Sequence, residues 1–350
     1  MSVEIRLLIL AICIILLALK RSGYFEKRKE NQKKKEVEEA KEKRKAMMKE
    51  RRQKALEQKE RKDQQTAEIL RRVVPGMQQK SVTVAGADVF YLDSGPRGDA
   101  PTALLLHSFG GDKENWGGFA KSLIDKGYRA VAPDLPGWGQ NPKNPDISYD
   151  VMQQTKRVRA FAHKLGLKSF HLVGCGMGAT ISAAWAYGAS SEVLTLTLIE
   201  PFGVGVPYPS ELDEWLAQDR NPMVITTPAA YDNLLGFLYH QTPDIPEKIK
   251  NYRAEQISRH RALYQKIWME VCHGERAKLL DLVCPELKTR TLLMLGSESR
   301  MIHSAVSQAM EQMMPAIQTV VLQGAGHFAM VEQPEAAAGH FLGFVQGNSA

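Results

Sequence analysis

The chain has 350 residues, a formal charge of +7, a pI of about 9.1 and a hydrophobic fraction of 44%. That length and apolar content suit one large α/β unit with accessory segments and exclude a wholly disordered chain. The charge is local: residues 20 to 72 hold 21 Lys/Arg against 11 Asp/Glu, and the rest of the chain holds 25 against 28. Glu is interleaved through the basic stretch and no recognition motif follows it, so nucleic acid is not expected as a partner. Cys13, Cys175, Cys272 and Cys284 form neither a CxxC nor a Cys/His ligand spacing, which implies no disulfide framework and no zinc site and fits a reducing compartment. No nucleotide motif is present either, and no cofactor or metal is expected.

The chain opens with MSVEIRLLILAICIILLALKR, in which every residue between Arg6 and Lys20 is apolar. That core is shorter than the roughly 20 residues that usually span a bilayer, but snorkelling of Arg6 and Lys20 or use of Val3 and Ile5 would extend it. No small-x-small cleavage site precedes the charged run, so residues 1–22 are expected to be an uncleaved transmembrane anchor rather than a signal peptide. The positive flank on its C-terminal side would place the remainder of a single-pass protein on the cytoplasmic or matrix-like side; the sequence does not name the membrane, and the endoplasmic reticulum, the plasma membrane or a mitochondrial membrane would fit.

Residues 23–75 read as a charged helical stalk. The segment 26–72 has no Gly or Pro and is dominated by Glu, Lys, Arg, Gln and Ala, with i,i+4 pairs such as Glu39–Lys43 and Glu50–Lys54. Val37, Met47, Met48 and Leu56 sustain no a/d repeat, so a solvated helix is expected rather than a coiled coil. Its basic face over 26–72 would suit anionic lipid or a protein partner, and a protein partner or complex is the expectation.

From Met77 onward short apolar runs alternate with helical stretches. SVTVAGADVFYLDSG reads as a hairpin; TALLLH, YRAVAPDL, SFHLVG, LTLTLIE, TRTLLMLG and QTVVLQG read as buried strands of a mostly parallel sheet flanked by helices. The interval from about 202 to 288 is helical in pattern and reads as an insertion between two strands.

Five loops after these strands, HSFGGDKENW, DLPGWGQNP, GCGMGA, GSESRMIH and GAGHFAMVEQPE, carry the unusual residues. In order and spacing they resemble the H-G-x-G-G, D-x-P-G-x-G, G-x-S-x-G, G-x-x-D and G-x-G-H loops of the α/β-hydrolase family, so residues 77–350 are expected to take that fold. The insertion, with TTPAAYDNLLGFL and IPEKIKNYRAEQISRHRALYQKIWMEV, is similar to the helical cap of the membrane-anchored monoacylglycerol-lipase-like branch and related bacterial lipases. That resemblance implies a cleft for an apolar or acyl ligand beneath Leu234, Leu235, Phe237, Tyr239, Tyr264 and Trp268, although such residues also pack cap helices against one another.

The resemblance places the nucleophile at Gly176, the acid at Ser299 and the base at His327, with oxyanion donors at the N–H groups of Phe109 and Met177. Gly176 has no side chain and Ser299 no carboxyl, so only the base position keeps its chemistry. Relatives have Gly where Ser108 stands, and Trp138 and Asn141 stand where His and Ser are usual. The leading expectation is therefore a catalytically inactive hydrolase homologue serving as a membrane-anchored scaffold, accessory subunit or ligand-binding protein. The alternative is an active esterase or lipase with a displaced nucleophile, Ser108 or Cys175, using His327 as base and Glu200 as substitute acid.

Overall fold

The computed structural model describes residues 3–69, 74–225, 227–272 and 278–347, and the chain divides into two compact units, residues 1–71 and 72–350. The first unit is two helices, α1 (Val3–Arg21) and α2 (Tyr24–Ile69). Within α2 the chain repeats Glu and Lys at helical spacing, and Lys54 Nζ reaches Glu50 Oε1 at 2.6 Å, while Lys41–Glu38 and Lys45–Glu42 pair across three residues. These pairs are exposed and each contributes little; the helix rests on the intrinsic preferences of its residues. The pair Glu39–Lys43 is not formed.

The expected transmembrane anchor is not supported. No described helix is long and apolar enough to cross a membrane. α1 carries Glu4, Arg6, Lys20 and Arg21, and its uninterrupted apolar run is Leu7 to Leu19. At about 1.5 Å per residue such a run covers about 20 Å, against a hydrocarbon core of about 30 Å. Extending the run to Val3 and Ile5 means counting across Glu4 and Arg6, which is where the sequence reading overreached. The single-pass topology and the sidedness derived from it fall with it.

The second unit is built on an eight-stranded mixed sheet in the order β1-β2-β4-β3-β5-β6-β7-β8. The strands are β1 (Gln78–Val84), β2 (Ala87–Asp93), β3 (Thr102–Leu106), β4 (Arg129–Pro133), β5 (Phe170–Cys175), β6 (Val193–Ile199), β7 (Thr291–Gly296) and β8 (Gln318–Leu322). β1 and β2 form an antiparallel hairpin closing at Val84–Ala87, β2 joins β4 antiparallel, and every later pairing is parallel. β5 and β7 are buried along their whole length, as continuous apolar runs covered on both faces should be.

The connecting helices are α3 (Gly117–Asp125), α4 (Val151–Lys164), α5 (Met177–Gly188), α6 (Glu211–Leu216), α7 (Tyr231–Leu238), α8 (Glu247–Arg259), α9 (Arg261–Val271), α10 (Leu279–Val283), α11 (Ala305–Met313), α12 (Ala329–Glu332) and α13 (Pro334–Val345). The sheet steps one way from β3 to β4 and the other way from β4 to β5. Right-handed crossovers therefore put α3 and α4 on opposite faces. α12 and α13 pack on α3, α5 packs on α4, and α10 packs on α5. Between β6 and β7 the chain leaves the sheet for α6–α10.

That reversal of direction between β3 and β5 is the place where ligands bind in such sheets. Leu106 of β3 pairs with Gly174 of β5, so the residues just past these strand ends, Ser108 and Gly176, emerge side by side. The approach is close: a Cβ on Gly174 would lie 2.3 Å from the Gly178 carbonyl oxygen, and one on Gly178 would lie 2.2 Å from that of Leu106. Gly174 and Gly178 are there because the strand and helix backbones leave no room for anything larger.

Candidate active site

Ser108, Gly176, Glu200, Ser299 and His327 all lie on loops at the C-terminal ends of parallel strands, and the fold brings them together. Ser108 and His327, 219 positions apart in the chain, meet with Ser108 Oγ 2.9 Å from His327 Nε2. His327 Nδ1 faces Glu200 Oε2 at 3.4 Å. Ser108, Glu200 and His327 are all fully buried. If Nδ1 carries the proton and donates to the carboxylate, Nε2 is left to accept from the serine hydroxyl. This hydroxyl–imidazole–carboxylate chain has the connectivity of a hydrolytic triad.

The hydroxyl occupies the space that the elbow leaves open. Gly176 sits at φ 51°, ψ −114°, the tip between β5 and α5. A Cβ placed there would lie 2.0 Å from Ser108 Oγ and 2.7 Å from His327 Nε2. A side chain at 176 and the one present at 108 would thus compete for the same space. Gly176 brings no side chain to this arrangement, and the hydroxyl that meets His327 is that of Ser108.

The Ser108 turn is held from behind. Leu135 N–H donates to His107 Nε2 at 2.9 Å, so His107 Nδ1 carries the proton and donates to the Ser108 carbonyl oxygen at 2.8 Å. Burial keeps the His107 pKa below its ordinary value, and a neutral ring is what this pair of hydrogen bonds requires. Gly111 N–H closes the turn onto the same carbonyl oxygen at 3.1 Å. One step further on, Lys113 Nζ and Asp134 Oδ2 form a buried ion pair at 2.8 Å, and Asp134 Oδ1 accepts the Lys113 N–H at 3.1 Å. Burial opposes the Lys113 charge, but Asp134, Glu114 and Asp112 outweigh it and hold its pKa above the ordinary value.

Glu200 follows β6 with φ 49°, a left-handed conformation that costs a non-glycine residue about 1–2 kcal/mol. Its Oε1 accepts the Gly296 N–H at 2.7 Å, and its Oε2 accepts Ser299 Oγ–H at 2.5 Å. Ser299 thus stands beside the carboxylate without supplying one. Glu298 N–H is spent on the Ala325 carbonyl, and the Glu298 side chain bonds with Ser297.

Cys175 is differently placed. Its Sγ donates to the carbonyl oxygen of His327 at 3.6 Å, away from the imidazole, and burial pushes its pKa well up. A buried thiol of this kind stays protonated and is a poor nucleophile. No acceptor among the described residues is bonded to the N–H of Phe109 or of Met177. Both residues are buried, and Met177 opens the 12-residue helix α5, whose N-terminal dipole end favours developing negative charge.

Aromatic rings wall the site. Phe202 stacks on His327 at 5.3 Å and 23°, and Trp268 of α9 meets both Phe202 at 6.1 Å and Phe109 at 5.2 Å. Trp138 packs edge-on to Phe109 at 4.7 Å and stacks on Tyr264 at 4.5 Å. Leu234 of α7 lies over Gly110, 3.6 Å from where its Cβ would be. Phe237 is spent elsewhere, between Trp215 and the Arg300 guanidinium, and Tyr239 packs on Phe328. Leu235 of α7 is buried in the core.

Sequence reasoning missed the clamp of His107 on Ser108, the Phe202 ring over His327 and the role of Ser299 as a donor. The first was foreshadowed by the His-Ser pair at the end of a strand; the other two had no local signal.

Comparison with known proteins places the chain. Residues 101–334 match the model of the α/β-hydrolase fold, and the chain belongs to that family. It is 28% identical to Lipase 1 of Psychrobacter immobilis, over 76% of this chain and 83% of the relative. It is 24% identical to a monoacylglycerol lipase of Homo sapiens, over 77% of this chain and 82% of that one. Among solved structures it resembles a membrane phospholipase A described as a bacterial virulence factor, with 34% identity and a TM-score of 0.75, covering 81% of this chain and 90% of that one.

Proposed function

We propose that the chain is a carboxylic ester hydrolase in which the nucleophile has moved from the elbow to the loop after β3. The observation that carries this reading is the 2.9 Å approach of Ser108 Oγ to His327 Nε2, in the space that a serine at position 176 would fill. Ser108 Oγ attacks the ester carbonyl carbon while His327 Nε2 takes its proton. Glu200 stabilises the imidazolium through Nδ1–H. The N–H groups of Phe109 and Met177 face the oxyanion. Collapse breaks the bond to the alcohol oxygen, which leaves with the proton from His327. Water then attacks the acyl-serine by the same route, releasing the acid and restoring Ser108. Elbow and oxyanion loop exchange one role: the loop after β3 supplies the nucleophile, and the elbow supplies only backbone donors.

The aromatic and aliphatic wall of Phe109, Phe202, Trp268 and Leu234 favours an ester with an apolar acyl chain. The lipase and phospholipase relatives support glycerolipid esters as the substrate class.

A purified full-length chain should hydrolyse p-nitrophenyl esters of short and medium acyl chains. Ser108→Ala should lower kcat/KM at least about a thousandfold without loss of fold, and a fluorophosphonate should label Ser108 in peptide mapping. An inert scaffold is the reading favoured by Gly176 at the elbow. Absence of both turnover and label in the parent protein would establish that reading and overturn ours. Turnover that survives Ser108→Ala would remove Ser108 from the chemistry.

A further inference from the structure

We infer that Ser299 is a positioning residue whose hydroxyl locks the Glu200 carboxylate against His327, an inference that rests on the Ser108–His327–Glu200 reading of the site. By resemblance, position 299 is where an acid would stand. The serine found there is wired to the acid that replaces it.

The wiring gives the hydroxyl a direction. Ser299 Oγ accepts the N–H of Ile302 at 3.3 Å, so its own proton is free to point the other way, to Glu200 Oε2 at 2.5 Å. That oxygen is the one that faces His327 Nδ1. The second oxygen, Oε1, is taken by the Gly296 N–H at 2.7 Å. Each carboxylate oxygen therefore has its own anchor, and the carboxylate plane cannot turn without breaking one of them. A glutamate needs this more than an aspartate does, because its side chain has one more rotatable bond to immobilise.

The anchor itself does not float. Ser299 N–H bonds the Gly296 carbonyl oxygen at 3.3 Å. The next residue, Arg300, ion-pairs with Glu211 of α6, donates to the Gly236 carbonyl oxygen of α7 at 2.8 Å and lies 4.3 Å over the Phe237 ring. The Ser299 loop is thus fixed by the helices inserted between β6 and β7, and through it their position reaches the Glu200 carboxylate. Remove the hydroxyl and Oε2 keeps only the 3.4 Å contact to His327. The carboxylate is then free to turn, and the imidazolium formed during attack loses an oriented partner.

The experiment compares the full-length protein with Ser299→Ala, Ser299→Thr and Ser108→Ala in p-nitrophenyl ester hydrolysis. It also follows the low-field proton resonance of the His327–Glu200 hydrogen bond by NMR. A hydrogen bond to a charged group of this kind corresponds to a loss of about 10–100-fold in kcat for Ser299→Ala. KM should stay within about twofold, because the Ser299 hydroxyl is engaged with Glu200 and Ile302. Ser299→Thr, which keeps a hydroxyl, should recover most of the rate. The low-field resonance should be present in the parent, retained in the Thr variant and shifted or lost in the Ala variant. An unchanged resonance and kcat in Ser299→Ala would overturn the inference. So would a fall in kcat that only follows lost thermal stability while the resonance stays put. The resonance decides the point even where no hydrolysis is found. An active parent whose turnover survives Ser108→Ala would fail the underlying reading instead, and the resonance would still report on Ser299.

Discussion

The test that reaches deepest into this fold is to put the serine back where the elbow would hold it. In Gly176→Ser the new Cβ would sit 2.0 Å from Ser108 Oγ, 2.9 Å from Ser108 Cβ and 2.7 Å from His327 Nε2, on a backbone at φ 51°. The left-handed conformation costs about 1–3 kcal/mol for a non-glycine residue, and overpacking a buried site costs about 1–3 kcal/mol more. The single variant should therefore lose about 2–6 kcal/mol. One kcal/mol moves Tm by about 2–4 °C in domains of this order of size, so the shift should be on the order of 5–20 °C. Ser108→Gly in the same chain removes both Ser108 atoms in the clash, so the double variant should recover the overpacking part and melt above Gly176→Ser alone. A coupling of at least about 1 kcal/mol between the two positions follows. Thermal melts of the four proteins read the coupling; ester turnover and the position of a fluorophosphonate label read the chemistry. The double variant should hydrolyse ester and carry label at position 176, whereas Gly176→Ser alone should be slow. Stability losses that simply add, or a Gly176→Ser variant as stable and active as the parent, would refute the idea that the two positions share one space.

Other outcomes follow from buried groups away from the hydroxyl. Lys113→Met leaves the Asp134 carboxylate buried without its cation and should cost about 3–5 kcal/mol in chemical denaturation. Trp268→Ala empties a fully packed position between Phe109 and Phe202 and should cost about 3–5 kcal/mol, again read by denaturant midpoint. His171, hydrogen-bonded to Thr195 Oγ1 at 2.8 Å, has its pKa pushed down to about 4 by burial and then by Arg290. The unfolded chain binds that proton near pH 6.5 and the native chain only near 4, so stability should fall as pH drops through that window. Melts between pH 7.5 and 4.5 should show the fall, and His171→Gln should reduce it, with His260, pushed down to about 4 by burial, and His107 supplying part of the remainder.

What was legible in the sequence was everything that local spacing and backbone chemistry dictate. Apolar runs of five to seven residues between turn signals became the strands, because only extended chain buries such a run on both faces. Gly174, Gly176 and Gly178 were readable as a tight elbow because glycine spacing reports how closely strand and helix must approach. The long charged segment was readable as a helix because its residues favour one without partners. At the N-terminus the same local reasoning failed when an apolar run was stretched across Glu4 and Arg6, since one charged residue costs more than two apolar neighbours recover. The site was legible only as a set of positions. A position-by-position comparison counts Gly176 as a lost nucleophile, Ser299 as a lost acid and Ser108 as a foreign residue in a glycine's place. Only the tertiary structure shows that these positions meet in space. β3 and β5 are neighbours in the sheet, so a side chain added on one strand's loop fills the space vacated on the other. β6 and β7 are neighbours as well, so a glutamate just past one takes the hydroxyl of a serine following the other. Side chains 99 and 219 residues apart leave no periodicity to read. Their meeting is set by the order of strands in the sheet, and that order is decided by packing over the whole domain.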